Sequence, residues 1–178
     1  LGYSSLKAGL MLMPVALENR QSRARVPRRR LHEIAQAALA TVGRARAEVH
    51  VTLVDDAAIR RLNARYRGSR KPTDVLAFDL AGPGPAPLLG EVIVSVDTAA
   101  RQAAAVGVPL ALELDLLVVH GILHLAGWDD AHPREAQRMH ERARAILTRA
   151  HRRPPPAGKS DLRARRDRRP LLHLLRAD

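Results

Sequence analysis

The chain of 178 residues contains no cysteine, and only 2% of its residues are aromatic. The absence of cysteine excludes disulfide bonds and thiolate zinc sites, and it is typical of proteins in a reducing compartment. Because aromatic residues are so few, a hydrophobic core must be built from alanine, leucine, valine and isoleucine, in a chain that is 46% hydrophobic. No apolar run is long enough to span a membrane, so we expect a cytoplasmic protein without a membrane anchor.

Acidic residues are also scarce. The chain has 18 of them against 30 lysines and arginines, which gives a formal net charge of +12. Such a basic balance predicts a polyanionic partner, most simply RNA or DNA. The alternative is a genome of high GC content that favours arginine and alanine codons.

The two ends of the chain are expected to lie outside the folded domain. Residues 151–178 hold nine basic and three acidic residues, which is half of the net charge, and we expect a disordered basic tail there. Residues 1–12 begin with Leu1 rather than methionine. We interpret them as a non-native or upstream extension, and we expect the domain to cover residues 13–150.

Hydrophobic periodicity within that range predicts an α+β fold. Strands are expected at residues 14–21, 47–54, 74–80 and 90–97, and helices at 27–42, 55–66, 98–106, 110–126 and 133–150. The strand GEVIVSVD (90–97) is apolar on both faces and is therefore expected to be central. This order favours a small, mostly four-stranded mixed sheet covered by helices, with residues 81–87 as a loop.

The segment HGILHLAGWDDAH (120–132) has the spacing of a metal site. His120 and His124 are one helical turn apart, so both imidazoles leave one face of an apolar helix, as two ligands of a tetrahedral zinc do. Gly127 allows the chain to turn back after the helix. Spacing then favours Asp130 as the third ligand, whereas chemical type favours His132. The structural alternative is a pair of satisfied core histidines.

Gly121 occupies the position at which zinc peptidases of the HExxH type carry their glutamate base. Its presence argues against peptide hydrolysis, so a zincin-type metalloprotease is the less favoured alternative. A metal-bound hydroxide can still attack a phosphodiester if cationic groups bind the developing charge. Arginine suits that role because its guanidinium is planar and bidentate.

Three segments, in this order, resemble motifs of the YbeY endoribonucleases, the bacterial ribosomal RNA maturation factors. LNARYRGSRKPTDVLAFDL (62–80) is similar to the family's LNxxYRxxxxPTDVLSF, GEVIVSVDTA (90–99) to its GDIxI strand, and HGILHLAGWDD to its HGxLHLxGYDH signature. The resemblance covers about residues 13–150. It implies a single-strand-specific metallo-endoribonuclease of 16S ribosomal RNA 3′-end maturation and ribosome quality control, with ribosomal RNA and the small ribosomal subunit as partners.

The resemblance also implies site residues, with one zinc ion per chain held by three histidines. His120 and His124 match two of them, and the third falls on Asp130, so the implied ligand set is His₂Asp unless His132 substitutes. Arg67 matches the arginine of the family's Tyr-Arg pair and would bind a phosphate or the transition state. The expected RNA path further includes Arg65, Arg70 and Lys71. A non-catalytic ribosome assembly factor with a metal is the alternative function.

Overall fold

The computed structural model describes residues 14–80 and 88–152, which form a four-stranded sheet and five helices in the predicted order. The elements are β1 (Val15–Asn19), α1 (Arg28–Thr41), β2 (Glu48–Val54), α2 (Asp56–Arg67), β3 (Val75–Asp79), β4 (Leu88–Ser95), α3 (Val96–Val106), α4 (Leu110–Leu125) and α5 (Pro133–Arg152). The predicted α+β class is confirmed. The predicted extension 1–12, the loop 81–87 and residues 153–178 of the predicted tail lie outside the described residues.

The sheet is mixed and has the strand order β1-β2-β4-β3. Strands β1, β2 and β4 are parallel, and β3 runs antiparallel to β4 as an edge strand. β4 is central, as its apolar faces predicted. It ends at Ser95, two residues before the predicted end, because the Ser95 hydroxyl accepts a hydrogen bond from the Thr98 amide (3.2 Å) and caps α3.

The two faces of the sheet are covered unequally. Alternate strand residues, among them Val51 and Val92, point into the main core, to which α1, α3, α4 and α5 contribute. The residues between them, among them Leu76 and Ile93, point to the other face, where α2 covers a smaller cluster through Ile59. Helices α2 and α4 therefore lie on opposite sides of the sheet.

Helix α4 is the apolar core helix, and it approaches the sheet closely at two glycines. A side-chain carbon on Gly121 would overlap Val92 of β4, and one on Gly90 would lie 2.7 Å from Leu125 Cδ2. Because Val92 and Gly90 pair with residues 77 and 79 of β3, the end of α4 lies at the level of residues 77–79 of that edge strand. Among the described residues, no single helix could cross a bilayer, and α3 with α4 passes only as a pair bent by 118°.

The last turn of α5 is tied to the core through a buried carboxylate. Asp115 of α4 is fully buried, accepts a hydrogen bond from Arg30 Nε at 2.7 Å and lies 2.9 Å from His151 Nε2. Helix α5 thus runs to Arg152, two residues beyond its predicted end. The contact of His151 with Asp115 explains the extension, because it anchors the last turn to α1 and α4.

Candidate metal centre

Three metal-ligating side chains converge where α4 ends and the chain turns back. The Nε2 atoms of His120 and His124 are 3.0 Å apart, and Asp130 Oδ2 lies 3.3 Å from the first and 3.7 Å from the second. Within residues 14–80 and 88–152, this is the only group of three or more His, Asp or Glu side chains that could hold a metal ion.

A glycine in the left-handed conformation produces this convergence. Gly127 has a φ of 88°, which residues with a side chain rarely adopt. Its amide donates to the His124 carbonyl at 2.9 Å, and the Trp128 amide donates to the Leu123 carbonyl at 3.0 Å. These two bonds end α4 and reverse the chain, so that Asp130 returns to the face that carries the histidines.

The same reversal sets the tautomer of His124. Its Nδ1 lies 3.1 Å from the carbonyl oxygen of Trp128. A carbonyl only accepts, so Nδ1 carries the proton, and Nε2 of the neutral ring keeps its lone pair. Metal-binding histidines are commonly oriented by such an outer hydrogen bond. No side-chain pattern could have predicted this contact, because its acceptor is a backbone atom.

The surroundings of His120 favour its neutral form. Burial, followed by the adjacent His124, keeps the pKa of His120 below its ordinary value, against the opposing effect of Asp130. A neutral imidazole has a lone pair available at neutral pH, which a metal ligand requires. The side chains of His120 and Asp130 are 22% and 43% exposed, so the group opens to solvent on the Asp130 side.

The donor set fits a small divalent metal. A tetrahedral zinc with bonds of about 2.0–2.1 Å separates its ligand atoms by about 3.3 Å. The three observed separations, 3.0, 3.3 and 3.7 Å, lie on both sides of that value. Catalytic zinc sites also combine three protein ligands of this kind with an accessible side. The His-His-Asp group could therefore hold a metal ion.

The other candidate ligand, His132, lies apart from this group. It is exposed, and its carbonyl accepts a hydrogen bond from the Ala136 amide at 2.9 Å at the start of α5. The geometry thus places Asp130, which spacing favoured, beside His120 and His124. It does not place there His132, which chemical type favoured.

Gly121 faces the sheet rather than the metal group. A side chain there would overlap Val92, so a glutamate could enter only if α4 moved away from β4. Packing alone therefore explains the glycine. Position 121 cannot supply a base. Because packing requires the glycine, however, its presence is not evidence for or against a peptide substrate, contrary to what the sequence had suggested.

Arg67 is not part of the metal group either. It is the last residue of α2, across the sheet from α4, and its exposed guanidinium has no hydrogen bond or ion pair within residues 14–80 and 88–152. The predicted RNA-binding residues of the connection to β3 are exposed as well, namely Arg70 and Lys71. Arg65 is exposed on α2, with its guanidinium 5.4 Å from the centre of the Tyr66 ring.

Glu113 is a buried acid that was not among the residues expected from the sequence. It lies two turns before His120 on the same face of α4 and is only 6% exposed. Burial and, next, the carboxylate of Asp74 raise its pKa to about 7. The sequence did contain a signal that could have identified Glu113, namely an acidic residue seven positions before the first histidine in a largely apolar helix. Asp74 itself supports the fold by accepting from the Val75 amide at 2.8 Å and from Gln102 Nε2 at 3.0 Å.

The sequence comparisons with known proteins agree on one family. Residues 16–151 match the family model described as Endoribonuclease YbeY. A protein named Endoribonuclease YbeY from Anaeromyxobacter sp. (strain Fw109-5) is 47% identical over 139 residues, which are 78% of this chain and 72% of that protein. A protein of the same name from Moorella thermoacetica is 50% identical over 128 residues, which are 66% of this chain and 82% of that protein. The solution structure of a Thermotoga maritima protein, 24% identical, matches with a TM-score of 0.54 over 82% of this chain and 99% of that one, which supports the fold.

Proposed function

This chain belongs to the YbeY endoribonuclease family, and on that premise we propose that it is a zinc-dependent endoribonuclease that cuts single-stranded ribosomal RNA. The observation that carries the proposal is the convergence of His120, His124 and Asp130 at the turn after α4. The proposed role is 3′-end maturation of 16S ribosomal RNA and quality control of the small ribosomal subunit in the cytoplasm. A formal net charge of +12 supports a polyanionic substrate.

The proposed ligands of one zinc ion are Nε2 of His120, Nε2 of His124 and Oδ2 of Asp130. When bound, zinc supplies Lewis-acid polarisation and lowers the pKa of a coordinated water to about 7. The Trp128 carbonyl keeps the His124 ring in the ligating tautomer. The carboxylate of Asp130 replaces an imidazole of the family pattern, which leaves the site less strict about metal identity.

Arg67 is the proposed phosphate-binding arginine. Its guanidinium can donate two parallel hydrogen bonds to phosphate oxygens and stabilise the charge that develops there. The absence of any partner within residues 14–80 and 88–152 supports this role. Because α2 and α4 lie on opposite sides of the sheet, RNA that contacts Arg67 and the histidines together must pass around the edge strand β3. The proposed contacts along this path are Arg65, Arg70 and Lys71.

The test is cleavage of defined RNA by the purified, zinc-loaded protein. We expect it to cut single-stranded RNA that spans the 3′ end of 16S ribosomal RNA and to leave a duplex of the same sequence intact. His124→Ala should abolish cutting, and Arg67→Ala should lower kcat/KM by roughly 100- to 1000-fold, the usual effect of losing one charge-stabilising donor. Arg46→Ala, which removes an exposed arginine before β2, is the matched control and should keep full activity.

The competing function, a non-catalytic assembly factor, predicts a different result. If the zinc-loaded protein cuts no RNA, and yet His124→Ala and Arg67→Ala both stop 16S maturation in cells, the metal is structural and the protein only binds. The product ends also identify the nucleophile. A 2′,3′-cyclic phosphate would indicate attack by the ribose hydroxyl, whereas a 5′-phosphate together with a free 3′-hydroxyl would indicate attack by water.

A further inference from the structure

Tyr66 is an exposed aromatic residue in a chain that has few. It lies near the C-terminal end of α2 and is 56% exposed. Its ring packs against Phe78 of β3 at a centroid distance of 5.1 Å and an angle of 66°, and the Arg65 guanidinium is 5.4 Å from its centre. Phe78 packs against the smaller core cluster, so the Tyr66 ring is supported from the sheet while most of the residue faces solvent.

The surface around Tyr66 is strongly basic. Between residues 57 and 73 the chain has no acid and six basic residues, which are Arg60, Arg61, Arg65, Arg67, Arg70 and Lys71. None of these six forms a salt bridge within the part of the chain that the structure describes. By contrast, Arg23, Arg30 and Arg101, which lie elsewhere in the chain, are paired with aspartates. Among the described residues, these six positive charges are therefore not held in salt bridges of the protein.

Tyr66 and the metal group lie on the two sides of one short segment of the edge strand. Tyr66 packs on Phe78, whose side chain points to the α2 face of the sheet. The end of α4, which carries His124, lies at the level of residues 77–79 on the other face. No further strand pairs with the free edge of β3 in the described sheet, so a single strand of nucleic acid that passes around this edge can contact both sides.

We propose that Tyr66 is a stacking platform for one unpaired base of the RNA, with the basic residues of α2 holding the adjacent backbone. Basic grooves bind single strands through exposed aromatic rings because every unpaired base has a flat face, which a duplex hides. The platform would therefore contribute to the preference for unpaired RNA. This inference rests on the proposed function and adds the residue that recognises the unpaired base.

The test measures binding and stacking separately. The zinc-loaded protein is titrated against a short 2′-O-methyl, phosphorothioate RNA, which resists cleavage and carries 2-aminopurine at one position at a time. Wild type should quench the fluorescence at one preferred position. Tyr66→Ala should remove that quench and raise Kd roughly 5- to 100-fold, the usual effect of losing one stacked base. Tyr66→Phe should behave as wild type.

Two further variants separate stacking from packing. Tyr66→Leu restores apolar bulk against Phe78 but cannot stack, so we expect it to bind as weakly as Tyr66→Ala. Val106→Ala removes another exposed apolar side chain, 51% exposed at the end of α3, and should bind as wild type does. If Tyr66→Leu binds as well as wild type, or if Tyr66→Ala leaves the quench unchanged, the ring serves packing or a protein contact and the proposal is wrong.

Failure of this inference can be told apart from failure of the proposed nuclease function. If wild type cuts RNA and Tyr66→Ala cuts it with an unchanged KM, the platform is wrong and the nuclease function stands. Suppose instead that wild type cuts no RNA but quenches the 2-aminopurine fluorescence, and that Tyr66→Ala does not quench it. The platform then stands, and the nuclease function is wrong.

Discussion

His124 Nδ1 donates a hydrogen bond to the carbonyl oxygen of Trp128 across 3.1 Å. This bond links the last turn of α4 to the reversal that returns Asp130 to the histidine face. One backbone carbonyl thus couples the tautomer of one proposed ligand to the position of another. A site held in this way needs little rearrangement on metal binding, which lowers the cost of binding.

Metal content distinguishes the two candidate third ligands. Asp130→Ala should lose the metal because it removes the carboxylate next to both histidines, whereas His132→Ala should keep it. Asp130→His should restore metal binding, because it supplies the ligand type of the family signature. The check is metal-to-protein stoichiometry after exhaustive dialysis. Loss of metal from His132→Ala, with retention in Asp130→Ala, would reverse the assignment.

Gly121 and Val92 should be energetically coupled. Gly121→Ala places a methyl group where the Val92 side chain lies, and such overpacking costs about 1–3 kcal/mol of unfolding free energy. Val92→Ala makes room for that methyl. The double variant should therefore be more stable than the sum of the two single effects predicts, as measured by urea denaturation. Strict additivity would mean that the contact does not determine residue 121.

Glu113 should reduce stability as pH rises. Its folded pKa is raised to about 7 from an ordinary 4.5, so its contribution is fully present below about pH 4.5 and is lost as pH rises through 7. Glu113→Gln mimics the neutral form and should gain stability relative to wild type over that window. His120, whose lowered pKa acts in the opposite direction, is the same in both proteins and cancels. Parallel curves of unfolding free energy against pH would contradict the prediction.

Arg30 and Arg29 are neighbouring arginines in very different electrostatic surroundings. Arg30→Met leaves the buried Asp115 carboxylate with the His151 imidazole as its remaining side-chain partner, which should cost roughly 2–4 kcal/mol. Arg29→Met breaks only an exposed pair with Glu33 one turn away and should cost less than about 0.5 kcal/mol. Chemical denaturation of both variants tests this difference. Equal, small effects would show that Asp115 does not depend on Arg30.

Local pattern sufficed for most of the fold. Hydrophobic patterns predicted all nine described elements in order. Most elements follow a period of 2 or 3.6 residues, and β4 is a nearly continuous apolar run because both of its faces are buried. Errors occurred at element ends. Ser95 caps α3 and shortens β4, and His151 extends α5 through a contact with Asp115, 36 residues earlier in the chain. Contacts at that separation leave no trace in a local pattern.

The metal group was likewise predictable in part from local sequence and in part only from the tertiary structure. The sequence by itself determined that His120 and His124 share one helix face, because one turn of helix separates them. It did not decide whether Asp130 or His132 is the third ligand, since both follow the turn. Only the tertiary structure decided that the reversal at Gly127 brings Asp130 to the histidines and that Gly121 faces Val92. The location of Asp130 and the direction of Gly121 depend on how α4 packs against β4 and on where the chain turns. The residue types alone do not determine that packing or that turn.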